Sequence, residues 1–305
     1  MNATKLADSA HPIASAATSI SVRISDLIAL TKARLTAMVL LSAMVGFFFG
    51  SSDRLDLSLL ADALIGITLV AAGSSALNQF MERHVDRLMR RTQNRPLPAG
   101  RMDPGNVLYF GAISSVAGLA YLEWRVNADA TLWAAITLAT YVFIYTPLKR
   151  KTTLNTLVGA VPGAIPPLIG YAAAHGGLTP QAWALFAILF VWQLPHFLAI
   201  AWMYRQEYAQ AGFQMLPKFD AEGYSTGRQV VVHSLTLIAV TLAPFLLRMS
   251  GAVYAAGALV FGVAFLVFGV KFALRRTDAA ARQLFLASVI YLPLLLGLMM
   301  MDARG

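Results

Sequence analysis

The chain has 305 residues, 58% hydrophobic and only 13% charged, with a formal net charge of +9 and no cysteine. Soluble domains carry about 25% charged residues, so this composition excludes an ordinary soluble protein and predicts an all-α, polytopic membrane protein. Disulfides and Cys-ligated metals or clusters are excluded. The basic surplus is confined to particular loops, which points to membrane topology rather than nucleic-acid binding.

Residues 1–20 are small and polar and lack the apolar core of a signal peptide. They read as a cytoplasmic tail, followed by one transmembrane domain over 21–303. SVRISDLIALTKAR, residues 21–34, is amphipathic and suits the membrane interface. Nine apolar segments follow, at 35–51, 58–81, 106–124, 130–147, 154–174, 181–203, 229–248, 252–271 and 283–301. Most approach the ~20 residues that a span needs. With the N-terminus inside, 20 of the 24 Lys and Arg residues fall on the cytoplasmic side, and only Arg54, Arg125, Arg248 and Arg304 fall outside. The positive-inside rule therefore predicts a cytoplasmic N-terminus and an external C-terminus.

The second segment runs into LNQFMERHVDRLMRRTQNRPLP. Asn78, Glu82 and Asp86 recur every four residues, which on a helix stacks them on one face about 6 Å apart. Mg²⁺ takes hard oxygen ligands, usually one or two carboxylates plus substrate phosphates. Arg87, Arg90, Arg91 and Arg95 follow and could bind phosphate oxygens. For the arginines alone, anchoring in lipid headgroups explains the charge at least as well. Asn78 and Glu82 approach the apolar zone, where polar and ionisable groups are functional by default. His84 points off their face, and His11, His175 and His233 suggest no role.

YTPLKRKT, residues 145–152, ends the fourth segment. Pro147 should break the helix and present Lys149, Arg150 and Lys151, either to a diphosphate or as a positive-inside anchor. NTLVGAVPGAIPPLIGY, residues 155–171, is too rich in Gly and Pro for a plain lipid-facing span. It suits a broken or tightly packed helix lining a cavity.

The run N-x3-E-x2-V-D-x2-M-x-R-T-x2-R-P-L-P-x-G resembles the signature of the UbiA-type intramembrane prenyltransferases. The resemblance implies Mg²⁺ and a prenyl diphosphate held at Asn78, Glu82 and Asp86, with Arg91 and Arg95 on the diphosphate. A Tyr-x3-Lys-Arg element of the same superfamily matches Tyr145, Lys149 and Arg150. Glu82 stands where the family often has Asp, which keeps charge and ligand type.

The second aspartate-rich motif of most such enzymes is missing, which leaves the number of Mg²⁺ ions open. VWQLPHFLAIAWMYRQEYAQAGFQML stands there instead, at 191–216. WQLPHF, YRQEY-x2-AG and the 155–171 run together resemble the haem-farnesylating branch of the superfamily over roughly 25–300. Ala33, where that branch often has Pro, and Val85, usually bulkier, are departures away from the chemistry. This branch implies transfer of a farnesyl group from farnesyl diphosphate to a vinyl group of haem b, giving haem O.

On that reading His196, Trp192, Tyr204 and Tyr208 lie on the acceptor side. His196 either ligates or orients the porphyrin, or is a buried histidine bonded to a backbone group or Glu207. The aromatics either stack on the macrocycle or belong to the interfacial belt. The resemblance further implies a central cavity open to the cytoplasmic side and to lipid, in a bacterial inner membrane. A downstream haem-modifying enzyme or terminal oxidase assembly is the implied protein partner. Two alternatives remain: another aromatic or tetrapyrrole acceptor, and a membrane haem carrier. Against a carrier stand the lack of internal repeats and the charge clustering at one edge.

Overall fold

The computed structural model describes residues 24–51 and 54–304; the tail expected over 1–20 lies outside them. Among these residues nine helices are long and apolar enough to cross a membrane. They are α1 (Ala33–Gly50), α2 (Leu57–Asp86), α3 (Pro104–Arg125), α4 (Ala128–Leu148), α5 (Asn155–His175), α6 (Pro180–Met203), α7 (Tyr224–Leu246), α8 (Ala252–Arg275) and α9 (Asp278–Met301).

Several starts are written locally. The side chains of Asp56, Asp103, Asn127 and Thr277 accept hydrogen bonds from the first free N–H groups of α2, α3, α4 and α9. Pro104 and Pro180 occupy first-turn positions, where a missing N–H costs nothing. Apolar patterning places the start of α7 and α9 and the end of α2 too far inward. The helical ladder continues through polar residues, to Asp86 in α2 and back to Tyr224 and Asp278 in α7 and α9. At 1.5 Å per residue, the 30 residues of α2 span about 45 Å. That exceeds the ~30 Å hydrocarbon thickness, so one end of α2 can carry polar residues beyond or near its edge.

A short helix over 24–30 precedes α1. The Gln79 amide donates to the carbonyls of Ala29 (3.2 Å) and Leu30 (2.7 Å), and Arg101 forks onto Asp26 at 2.8 Å. The chain then turns at Lys32, whose φ of 49° is left-handed. A non-glycine residue held there costs energy and is a common mark of functional corners.

Prolines shape the two helices beside this corner. Before Pro147, α4 widens into a π-turn over Thr140–Tyr145, with the Thr146 N–H bonded five residues back to Tyr141. Such single turns are frequent at functional sites. The expected break after the fourth segment is thus a widened turn followed by one short helical turn, Thr146–Leu148. In α5 the helix interrupts at Ile165, just before Pro166 and Pro167, which lack N–H groups. The half after the break crosses α1 at close range: a Cβ on Gly170 would strike the Ala43 carbonyl, and one on Gly46 the Pro167 carbonyl. Small residues at such crossings let membrane helices approach closely.

Two apolar cores result. One gathers α1–α5 around Phe47, Ile67, Leu122, Ile165 and Leu168. The other gathers α6–α9 around Leu185, Ile188, Leu237, Phe265, Phe272 and Leu284. Large apolar side chains also face outward, among them Ile65, Ile113, Val116, Phe143, Val260, Val267 and Ile290. So much exposed apolar surface would be unsustainable in water and suits lipid.

Candidate functional site

Asn78, Glu82 and Asp86 lie on one face of α2, all buried. Each meets a different cation. The Lys32 ammonium donates to Asn78 Oδ1 at 2.7 Å and to the Tyr141 hydroxyl at 3.1 Å. Lys149 Nζ lies 2.8 Å from Glu82 Oε1, and Arg95 Nη1 lies 2.7 Å from Asp86 Oδ2. The amide nitrogen of Asn78 donates to Thr146 Oγ1 at 3.1 Å, which turns its oxygen toward Lys32.

Local structure explains how these groups arrive. The Thr92 hydroxyl bonds the Asp86 carbonyl at 2.9 Å, folding the chain after α2 back so that Arg95 reaches the helix end. The π-turn and Pro147 carry Tyr145 and Lys149 to the same place, where the Lys149 ammonium sits 4.5 Å from the Tyr145 ring centroid. The segment after α6 closes over them: the Gln214 N–H donates to the Lys149 carbonyl at 2.7 Å, and Asn155 donates to the Gln214 carbonyl at 2.8 Å. Arg91 is clasped from that segment too. Its N–H bonds Glu207 at 3.3 Å, its guanidinium bonds the Tyr208 hydroxyl at 3.0 Å, and the Tyr204 ring lies beneath it at 5.1 Å.

Burial, reinforced by Arg95 and Lys149, pushes the Lys32 ammonium down to about 7. For Lys149 burial acts in the same downward direction, but the adjoining Glu82 carboxylate and the Tyr145 and Tyr141 hydroxyls outweigh it and hold the amine above the ordinary lysine range. Lys149 is therefore a fixed cation, while the charge on Lys32 is held less firmly, even with Glu82 and Asp86 nearby, and a further anion would favour it.

These groups line a polar pocket of about 80 Å³. Lys32, Arg91, Arg95, Tyr145, Lys149 and Tyr208 also line a second, largely apolar cavity of about 450 Å³. Its walls include Leu35, Val39, Ile67 and Val70 on one side and Gln193, His196, Phe197 and Ile200 of α6 on another. Small-molecule sites typically measure ~300–1,000 Å³. A side chain at Gly163 would run into the Gln193 amide, so glycine there lets α5 and α6 close on this cavity.

Of the residues singled out from sequence, Asn78, Glu82, Asp86, Arg91, Arg95, Tyr145, Lys149 and Tyr208 are brought together around the polar pocket. Arg150 is exposed and lines neither space. His196 faces the large cavity. Its Nδ1 meets Ser288 Oγ at 2.7 Å, rather than a backbone group or Glu207, whose carboxylate goes to Arg91. Trp192 stacks on His196, with ring centroids 5.1 Å apart, and donates to the Ser288 carbonyl at 2.9 Å. It supports the histidine from outside the cavity lining, and Tyr204 likewise supports Arg91. Lys32, Thr146 and Ser288 escaped the sequence reading. A lysine at the lip of an apolar segment, two residues before Arg34, was the available signal for Lys32; Thr146 and Ser288 gave none, since hydroxyls inside helices usually bond their own backbone.

Glu82, Asp86 and the amide oxygen of Asn78 form a hard-oxygen set, the chemistry that Mg²⁺ prefers. Four cations face two carboxylates there, so the pocket suits a polyanion brought in with a metal.

Residues 39–292 match the UbiA prenyltransferase family. The protoheme IX farnesyltransferase of Solibacter usitatus is 50% identical over 289 residues, covering 92% of this chain and 99% of that protein. That of Koribacter versatilis is 41% identical, covering 96% of this chain and 97% of its own. Among solved structures, a digeranylgeranylglyceryl phosphate synthase superposes with a TM-score of 0.77 at 15% identity, covering 92% of this chain and 98% of that one. A UbiA homologue from Archaeoglobus fulgidus, bound to DMAPP and Mg²⁺, superposes with a TM-score of 0.67 at 16% identity, covering 90% and 99%.

Proposed function

The chain belongs to the UbiA prenyltransferase family, and from that premise we propose that it transfers the farnesyl group of farnesyl diphosphate to a vinyl group of haem b, giving haem O. One observation carries the reading: a pocket of two carboxylates, an amide and several cations adjoins a larger, largely apolar cavity and shares lining residues with it. A prenyl diphosphate has that same division, a polyanionic head and an apolar tail. The protein relatives at 41–50% identity supply the acceptor.

Asn78, Glu82 and Asp86 are the residues that would hold Mg²⁺, with the number of ions left open by the single acidic motif. When bound there, the metal supplies Lewis-acid stabilisation of charge on the diphosphate. Arg91, Arg95, Tyr145 and Lys149 hold the diphosphate, and Lys32 joins them. Arg150 lies too far out to share this role in the conformation seen, so its part is confined to the approach of the anion.

The allylic C–O bond breaks with its electron pair going to the diphosphate, and preorganised cations stabilise that charge. The vinyl π electrons of haem b then form the new C–C bond. Water adds to the carbon next to the porphyrin and loses a proton, completing the hydroxyethylfarnesyl group. The apolar walls near Ile67, Val70 and Phe197 limit premature capture of the allylic cation by water. His196 meets the porphyrin, backed by Trp192, while Tyr204 and Tyr208 order Arg91 at the junction.

The charge distribution supports a multi-pass protein of the bacterial inner membrane. The N-terminus and the diphosphate pocket face the cytoplasm and the C-terminus lies outside, with both substrates entering from lipid. Residues 21–303 form the single catalytic domain, and a downstream haem-modifying enzyme or oxidase assembly receives the product. The test is acceptor choice. Purified protein given labelled farnesyl diphosphate, Mg²⁺ and either haem b or an aromatic acid should label haem alone. Label in the aromatic acid with none in haem would replace this acceptor by another.

A further inference from the structure

Ser288 of α9 is fully buried and lies outside the linings of both cavities, yet it organises the α6 wall. Its hydroxyl oxygen lies 2.6 Å from the Phe285 carbonyl and 2.7 Å from His196 Nδ1. Its own carbonyl takes the Trp192 indole N–H at 2.9 Å. A serine hydroxyl has one proton to give and two lone pairs. The Phe285 carbonyl can only accept, and at 2.6 Å it would repel a hydroxyl oxygen that gave its proton elsewhere. The proton therefore goes to Phe285, and the contact with His196 requires Nδ1 to be the donor.

That count settles the imidazole. With Nδ1 protonated, a neutral ring carries its free lone pair on Nε2. No hydrogen bond reaches Nε2 from the described residues, and His196 lines the large cavity. Trp192, Phe197 and Phe285 surround the ring at centroid distances of 5.1, 5.7 and 5.1 Å, and none of them carries charge. They hold its plane and leave one polar edge free.

We propose that Ser288 is a positioning residue that fixes His196 as the Nδ1–H tautomer, so that bare Nε2 faces the cavity as an axial ligand for the iron of a porphyrin acceptor. The proposal rests on the placement of His196 on the acceptor side. Metal-binding histidines generally donate their second N–H to a carboxylate, carbonyl or water, which fixes the ring and raises its basicity. A neutral hydroxyl does the first and little of the second. It gives a ligand that orients the macrocycle yet lets it go, as a substrate must.

Two measurements separate the proposal from its premise. In protein labelled with ¹⁵N-histidine, solid-state NMR should show one histidine with Nδ1 protonated and Nε2 bare, absent in His196→Gln. Ser288→Ala should shift that residue toward the Nε2–H form, and Ser288→Thr should restore it. An unchanged tautomer in Ser288→Ala, or a wild-type His196 protonated at Nε2, overturns the role of Ser288. With ferrous haem b added, resonance Raman should show an iron–histidine stretch that is lost in His196→Gln. In Ser288→Ala it should weaken or fall in frequency, with haem binding loosened roughly five- to tenfold, the worth of one hydrogen bond. A stretch that survives His196→Gln overturns the placement of His196 instead, whatever the tautomer does. Retained farnesyl diphosphate binding by each variant shows that it is folded.

Discussion

Glu82 and Lys149 form the ion pair whose removal is most informative. Their side chains are 8% and 12% exposed and 2.8 Å apart, so neither charge is well solvated alone. Removing one partner of a buried pair costs about 3–5 kcal/mol, chiefly because the other charge is stranded. Glu82→Gln keeps an oxygen that can still accept from Lys149, a hydrogen bond worth about 1 kcal/mol or somewhat more to a charged donor. The expected loss is therefore about 2–4 kcal/mol for Glu82→Gln and at the upper part of that range for Lys149→Met. The double variant strands neither charge, so its loss should fall well short of the sum of the two single losses, with a coupling energy of about 2–3 kcal/mol, near the top of what contacting pairs show. Activity should behave differently. Removal of a group that stabilises developing charge costs about 10²–10³-fold in rate, and repair of the charge balance cannot restore a lost metal ligand. Unfolding in detergent micelles and haem O formation are measured on the same four proteins. Additive stabilities would refute the coupling. Recovery of activity in the double variant would refute the assignment of Glu82 to the metal.

Three further expectations follow from the same geometry. Lys32→Met should weaken farnesyl diphosphate binding about tenfold, one charge-assisted contact, while Arg150→Ala should leave it within twofold; equal effects in a binding titration would contradict the division drawn here. Gly170→Leu should lower thermal stability by more than the ~1–3 kcal/mol of ordinary overpacking, because its Cβ meets the Ala43 backbone, and an unchanged Tm would show that the α1–α5 crossing is not tight. Burial raises the Asp220 carboxyl, but hydrogen bonds from Thr226, with help from Ser225 and Gly223, overcome this and hold it below the ordinary 3.8. A depressed carboxyl stabilises above its unfolded pKa and loses that contribution as pH falls through its folded one. Asp220→Asn should thus lower Tm at pH 7, and the gap from wild type should close below pH 4; a gap independent of pH would contradict the account.

Much of this architecture is legible in the chain. A fixed four-residue spacing puts Asn78, Glu82 and Asp86 on one face whatever the tertiary structure does. Continuous apolarity announces the spans, and prolines announce the disturbed turns at 147 and 166–167. What escaped depends on contacts between distant segments. Lys32 reaches Asn78 only because Gln79 and Arg101 fix the short helix before α1 and because Lys32 itself takes a left-handed turn. Arg150 follows Lys149 directly, yet one step along a helical turn rotates a side chain by about 100° and carries it outward. The partner of His196 lies 92 residues away on α9, beyond any local pattern.

The central claim is a chemical transformation, and the mass of the product tests it most directly. Membranes containing the protein are incubated with haem b, farnesyl diphosphate and Mg²⁺, and the extracted pigment is weighed by mass spectrometry. The account predicts haem b increased by one farnesyl group plus one hydroxyl group, dependent on Mg²⁺ and abolished in Asp86→Asn. Unmodified haem b from folded, active-site-intact protein, with the diphosphate uncleaved, would contradict it.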